Sequence, residues 1–405
     1  MIKNPNIAAM LVATLTLSAC GGGGDADVSA SGSSKAHPLG FAVPSAESND
    51  EARISAGDGH TAGLHTDGTV FTWGHNNYGQ LGNGGNDNSN TPITVPGLSS
   101  IKAVKSGAWH VTALAADGMV WTWGDNRSGQ LGNWSTTQSR TPIQVAGLSN
   151  VKAVAAGQEH TVALITDGTV WGWGINGATM SSQAPTAVAG FSQVKAVSAG
   201  GYHSVALKTD GTVWGWGSNR SGELGNGSSL PSQVPVMVPT LSGVKSVSAG
   251  QMHTLALAQD GSVWAWGSNL YGQLGNGNNQ SSYTPVAVTG LSNVKAIAAG
   301  PLNSAALHTN GTVSVWGNGN SGQLGNGNYN SSSVPKLVQG LSGVVSLSVG
   351  NGYVTLLKND GTVYGFGANS FGQLGNRSFS GSGVPVQATG VNGIGSLNLG
   401  ASTAP

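Results

Sequence analysis

Five histidines recur at one place in the chain: His60, His110, His160, His203 and His253, each three residues after a glycine. Imidazoles can hold a transition metal when three or four ligands converge within bonding distance. Residues spread over successive repeats do not converge in that way. These rings are therefore expected to bond backbone groups within their own repeat, and no metal is expected. Twelve tryptophans suggest a second chemistry, stacking on sugar rings. Most stand in Trp-x-Trp pairs: Trp121/Trp123, Trp171/Trp173, Trp214/Trp216 and Trp264/Trp266. Two residues apart on a strand, both rings share one face and are expected to pack between repeats. Carboxylates such as Glu159 and Glu223 lack a recurrent partner, and no nucleophile elbow stands at a strand-to-helix turn, so no catalytic residues are assigned. The Asn-rich loops, such as residues 83–90, lack a repeated carboxylate pattern for calcium and read as turns. No cofactor is expected.

The elements that position these residues follow from a repeat. Glycines 57, 107, 157, 200, 250, 300 and 350 mark seven copies, with an eighth glycine at 400; the spacing is 50 residues except for one step of 43. A fixed period of this length signals a solenoid, propeller or array. Each copy parses into four short strands. Strand A precedes the marker glycine, as in 151–156, and strand B follows it. An Asp-Gly pair, Asp67 to Asp360 with Asn310 in the sixth copy, then reverses the chain in a turn expected to need positive φ at both residues. Strand C is the Trp-x-Trp run. Strand D is expected to begin at a proline, Pro92 through Pro385. Four antiparallel strands in seven copies, without helical periodicity, make an all-β, seven-bladed β-propeller of four-stranded antiparallel blades over residues 51–405. The C–D loop is seven residues shorter in the third copy, which lacks the Gly-Gln-Leu-Gly-Asn turn. Strand A is represented eight times, so closure is expected to draw on both termini.

Composition bounds the partners. Charged residues make up 8% of the 405, and the formal net charge is zero. Without residues 1–19, which carry Lys3, 15 basic residues face 16 acidic ones. No basic stripe exists to displace counterions, so no nucleic acid is expected. One cysteine, Cys20, excludes a disulfide framework. It follows Lys3, an apolar run at 7–17 and Leu17-Ser18-Ala19, the pattern of a signal peptide too short to span a bilayer. That tetrapeptide resembles the lipobox of bacterial lipoproteins, which implies cleavage after residue 19 and lipidation of Cys20. Gly21 in the next position implies onward sorting to the outer membrane. Residues 20–50, rich in Gly and Ser, read as a flexible tether spanning roughly 30 Å.

One stretch carries the strongest resemblance: Ala249-Gly250, His253, Asp260-Gly261, Trp264, Trp266-Gly267 and 272–276, Gly-Gln-Leu-Gly-Asn. With its copies from about Ala52 to Gly400, it resembles the repeats of the regulator of chromosome condensation family. The resemblance implies a seven-bladed propeller. Its eponymous eukaryotic members exchange guanine nucleotide on a small GTPase and dock on nucleosomes. Here a leader for export, a chain without a basic patch, and a deletion in place of an inserted wedge all oppose that role. Similar in setting are the secreted propellers that inhibit beta-lactamases, which imply a rigid disk gripping a protein through its loops. The loop residues that vary while the frame repeats are the two after each marker glycine. Among them Trp109, Glu159, Tyr202, Met252 and Leu302 are the partner-binding candidates, unless these side chains plug the channel mouth. The expectation is a monomeric, lipid-anchored, non-enzymatic module that binds an envelope or extracellular protein. The other readings are a cell-wall or polysaccharide-active enzyme and an adhesive surface protein.

Overall fold

Gly118 adopts φ 84°, a left-handed backbone that a side chain would resist by ~1–2 kcal/mol. The aspartate before it stays outside that region, contrary to the two-residue turn expected from the sequence. Gly118 N–H bonds the Ala115 carbonyl at 3.0 Å, and Ala115 N–H bonds the Met119 carbonyl at 2.9 Å. The loop is thus a three-residue turn closed by a glycine bulge. Asp117 serves through its carboxylate, which accepts the Met119 N–H at 2.9 Å. The same capture recurs at Asp67, Asp167, Asp210, Asp260, Asn310 and Asp360.

The computed structural model describes residues 53–176 and 182–401. Cys20, the leader at 1–19 and the whole tether at 20–50 lie outside the described residues. Within them the strands form seven four-stranded antiparallel sheets, each in the order A-B-C-D along the chain. Each A strand touches the A strands of both neighbours, from Ile54–Ala56 in blade 1 round to Val344–Gly350 in blade 7 and back, so the A strands line the centre. The sequence expectation of a seven-bladed propeller is met. Strand D differs in detail: it opens three residues before the proline, as in Ser89–Thr94, which contains Pro92. Its register shifts opposite strand C between Thr72 and Gly74. An outer edge and a bulge are the two places where a sheet tolerates a missing N–H.

The blades are fastened by one carbonyl. Gln130, in the Gly-Gln-Leu-Gly turn of blade 2, offers its main-chain oxygen to two donors of blade 3, Trp173 Nε1 at 2.8 Å and Thr161 Oγ1 at 2.9 Å. The tryptophan bond recurs from Trp73, Trp123, Trp266 and Trp316. These second tryptophans of each pair are fully buried, as expected of an interblade core. Thr161 also meets His110 Nε2 of the preceding blade at 3.0 Å. Its one proton already goes to the Gln130 carbonyl, so the imidazole must be the donor, protonated on Nε2. The histidines therefore reach hydroxyls of the next blade, not backbone groups of their own. Where the next blade supplies Val111 instead, both ring nitrogens of His60 lack partners among the described residues.

The ring closes without exchange of a strand. Segment 394–399, expected to be an eighth strand A, makes only isolated bridges, Thr389 to Ser396 and Thr362 to Asn398. Leu399 N–H bonds the Gly361 carbonyl at 2.9 Å, as Val151 N–H bonds Gly118 and Val344 N–H bonds Gly311. Leu399 therefore stands where other blades begin strand A, and Gly400 is not a marker glycine. Arg53 then takes over, its guanidinium donating to the Gly400 carbonyl at 3.0 Å. Leu399 and Leu397 are buried beside Ile54, Trp73 and Val363.

Two measurements check this account. Burial lowers His60, His110, His160, His203 and His253 to about 3. Above pH 6.5 both folded and unfolded states hold neutral rings. Below it the unfolded chain takes up protons that the fold refuses until about pH 3. Denaturation midpoints should therefore fall across that window, each ring adding up to about 1.4 kcal/mol per pH unit. His203→Asn, which copies Asn303 of blade 6, should make the slope shallower. Leu399→Ala should cost ~2–5 kcal/mol and speed amide exchange in Ile54–Ala56.

Candidate binding face

Strands A and C leave each blade at the same end, so the A–B and C–D loops share one face. At its centre the marker glycines touch. A methyl on Gly107 would lie 2.5 Å from the Gly157 carbonyl and collide with the ring of His110. Around this contact, loop N–H groups reach the next blade's carbonyls: Asp58 to Ala108 at 3.2 Å, Gly201 to Gly250 at 3.1 Å, and Asn351 to Gly57 at 3.3 Å. The girdle draws the first variable loop residue inward, and Asp58, Ala108, Gln158 and Gln251 are all 6% exposed or less. Burial lifts the Asp58 carboxyl to about 7 against the pull of its bond with Asn351. Lys105 stands in strand A where other blades carry Ser55, Ser198, Ser248 and Ser348, and burial lowers it to about 7.

The second variable residue packs against the preceding blade, beside the residue that comes just before the Gly-Gln-Leu-Gly turn. Trp109 meets Tyr78 at 5.6 Å between ring centres and His75 at 4.9 Å. His75 in turn meets Phe371 at 4.5 Å. Glu159 accepts from Ser128 Oγ at 2.8 Å. Tyr202 donates its hydroxyl to the same carboxylate at 3.0 Å, and burial together with Glu159 pushes the phenol up, so it remains a donor. Arg127 lies 4.6 Å over the Tyr78 ring and pairs with the buried Asp125 at 2.9 Å. These contacts make an unbroken arc over blades 7, 1, 2, 3 and 4: Phe371, His75, Trp109 with Tyr78, Arg127, then Ser128 with Glu159 and Tyr202.

Of the residues singled out in the sequence, Glu159 and Tyr202 come together, and Trp109 joins the arc through Tyr78. Trp109 is sunk to 8% exposure, while Glu159, Tyr202, Met252 and Leu302 are half-buried. Met252 touches Ser221, and neither it nor Leu302 enters the arc. Tyr78, Phe371 and Arg127 escaped sequence reasoning. The signal for Tyr78 and Phe371 was the changing residue ahead of a fixed turn: Tyr78, Ser128, Ser221, Tyr271, Ser321 and Phe371; Arg127 lies one position earlier. Chemically the arc offers aromatic edges, one guanidinium and a hydroxyl-capped carboxylate. Its acids are committed, Asp125 to Arg127 and Gln130, Glu159 to Ser128 and Tyr202. Among the described residues, no three His, Cys, Asp or Glu side chains are grouped to hold a metal ion.

Known proteins share this architecture. The structure of Prp20p from Saccharomyces cerevisiae, described with its binding properties to Gsp1p and histones, superposes with a TM-score of 0.73 at 22% identity, covering 84% of this chain and 89% of that one. Human WBSCR16 gives 0.70 at 24% identity, covering 79% and 94%. The human E3 ubiquitin-protein ligase HERC2 is 35% identical over 51 residues, which is 13% of this chain and 1% of that protein's length. Profiles of the regulator of chromosome condensation (RCC1) repeat match residues 344–373 and 360–397. The RCC1-like domain profile matches residues 16–356, well over half of the sequence, and the chain belongs to that family.

Proposed function

We propose that this protein is a lipid-anchored bacterial envelope propeller that binds another protein through the arc on its A–B and C–D loop face. The observation that carries this reading is where variation sits. The frame repeats from blade to blade, whereas the side chains that differ lie in paired loops on one face, linked from Phe371 to Tyr202. Aromatic residues and arginine are the side chains enriched where proteins meet. Prp20 is described in complex with Kap60 and as binding Gsp1p and histones, and a protein-binding role agrees with those similar propellers. The geometry of attachment agrees as well. Arg53 and Gly400 meet beside Thr66 and Gly361, at the Asp-Gly turns on the opposite face. Arg53, the first described residue, thus stands on the face opposite the arc.

The anchor rests on the Leu17-Ser18-Ala19-Cys20 sequence, and expression in a Gram-negative host with labelled palmitate tests it. Label should enter the natural chain and be lost in Cys20→Ala; label in both, or in neither, removes the anchor from the proposal. Binding is tested with the soluble domain from Ser48 onward, captured against envelope proteins. Trp109 is too deeply packed to remove without disturbing the fold, so the variant is Arg127→Ala with Glu159→Gln. Loss of one anchoring side chain costs ~2 kcal/mol or more, roughly 30-fold in affinity. Equal recovery by both forms would remove the arc as the binding surface.

A further inference from the structure

Strand A of blade 2 carries a lysine where the frame repeats a hydroxyl. In four blades the residue two before the marker glycine is a serine whose Oγ accepts an N–H from strand A of the following blade. Ser55 accepts from Ser106 at 2.8 Å, Ser198 from Ala249 at 3.0 Å, Ser248 from Ala299 at 3.0 Å and Ser348 from Ala56 at 2.9 Å. Blades 3 and 6 leave the place apolar with Ala155 and Ala298. Only blade 2 puts a charge there: Lys105, whose ammonium can donate but not accept. The N–H left facing it is that of Ala156. Gly157 N–H bonds the His160 carbonyl at 2.8 Å, and pairs alternate along an antiparallel ladder, so Ala156 N–H turns away from strand B. It is the counterpart of the N–H that Ser106 gives to Ser55, and no acceptor for it is found among the described residues.

A third group joins them. Val104 and Val111 pack with Leu64 and Val70 of blade 1, and Ser106 Oγ donates to the Ser55 carbonyl of that blade. Successive side chains of a strand alternate between faces, so Lys105 and its cross-strand partner Thr112 face blade 3. Thr112 is fully buried, and its hydroxyl has no partner among the described residues. Lys105 is 7% exposed, and its ammonium makes neither a hydrogen bond nor an ion pair among those residues. Strands A and B of blade 2 and strand A of blade 3 contain no carboxylate. The imidazoles of this junction, His110 and His160, are held neutral by burial. Three donors thus face one junction with no acceptor bonded to any of them.

We propose that the junction of blades 2 and 3 binds a small inorganic anion, of the size of chloride, between the Lys105 ammonium, the Thr112 hydroxyl and the Ala156 N–H. An anion supplies the acceptor that all three lack, and it favours the charged form of a lysine that burial opposes. The seat is narrow, because a single serine hydroxyl spans the same gap at four other junctions. A halide fits such a gap better than a phosphate or a carboxylate. The site shares no residue with the arc on the loop face, so the two stand or fall separately.

The probe is sodium chloride, titrated into the whole protein at constant ionic strength against sodium gluconate, whose anion is too large to enter. The readout is the Lys105 Cε–Hε resonance in protein carrying isotope-labelled lysine, assigned by its loss in Lys105→Ser. That variant should fold with a higher Tm, because it installs the serine of four other blades. In the natural chain the resonance should shift saturably with chloride and stay still with gluconate, and chloride should raise Tm. Neither chloride nor gluconate should move the Tm of Lys105→Ser. Thr112→Val, which copies Val162 and Val205 of the next two blades, should weaken the response about 3- to 10-fold, the loss expected for one hydrogen bond. Crystals soaked in sodium bromide should show an anomalous peak between Lys105 and Thr112. Arg127→Ala with Glu159→Gln should leave the chloride response intact. No saturable shift at molar chloride, an equal shift with gluconate, no bromide peak at the junction, or a Tm of Lys105→Ser that rises with chloride as in the natural chain would each overturn the proposal.

Discussion

Four junctions of the ring hang on a shared oxygen. A buried carbonyl has two lone pairs, and leaving either donor that seeks it unbonded is expensive. Placing the Gln130 carbonyl between the Trp173 indole and the Thr161 hydroxyl satisfies all three groups while joining one blade to the next. Direction follows from this arrangement. Wherever the bond is made the turn serves the following blade, and the hydroxyl's proton, spent on the carbonyl, fixes which nitrogen of His110, His203 and His253 carries hydrogen. Flat apolar faces alone would let blades slide, because burial is non-directional. The carbonyl sets the register between them.

Much of this could be read in the chain. The repeat gave the blade count, the Trp-x-Trp spacing gave the packed face, and the single 43-residue step located the shortened loop. What escaped reading were the contacts between copies. Nothing local tells His110 that Thr161 lies against it 51 positions later, or that His60 will face Val111 instead. The proline misled for a different reason, because a bulge lets strand D start earlier than its missing N–H suggests. Gly400 matched the period yet not the place, since the chain end is held by the Gly361 and Arg53 contacts. The loop face was half legible. Glu159 and Tyr202 vary as functional residues would, but their pairing crosses blades and surfaces only in three dimensions.

Frame and face obey different rules. In the frame, buried polar groups are met by partners repeated blade after blade, so a change at one copy is felt at its neighbour. On the loop face the girdle of backbone bonds buries the first variable residue in blades 1 to 6, and the outside is met by most of the second residues and by C–D loop residues such as Arg127. Gly59 beside Phe371 and Met252 beside Ser221 show bulk moving from one loop to the other without altering the girdle. A surface of this kind can change its chemistry while its support stays fixed.

The seam sets an order of events in folding. Arg53 grips Gly400 across 347 residues of sequence, and Leu399 fills the space beside Ile54. Six junctions can form as successive blades emerge, but the seventh must wait for residues 397–400. Closing so long a loop carries an entropy cost that grows only slowly with length, yet it cannot begin early. Until then the ring is an open arc with its first and last blades unsheathed. A chain emerging from the ribosome would lock only after Gly400, the partner of Arg53, has emerged.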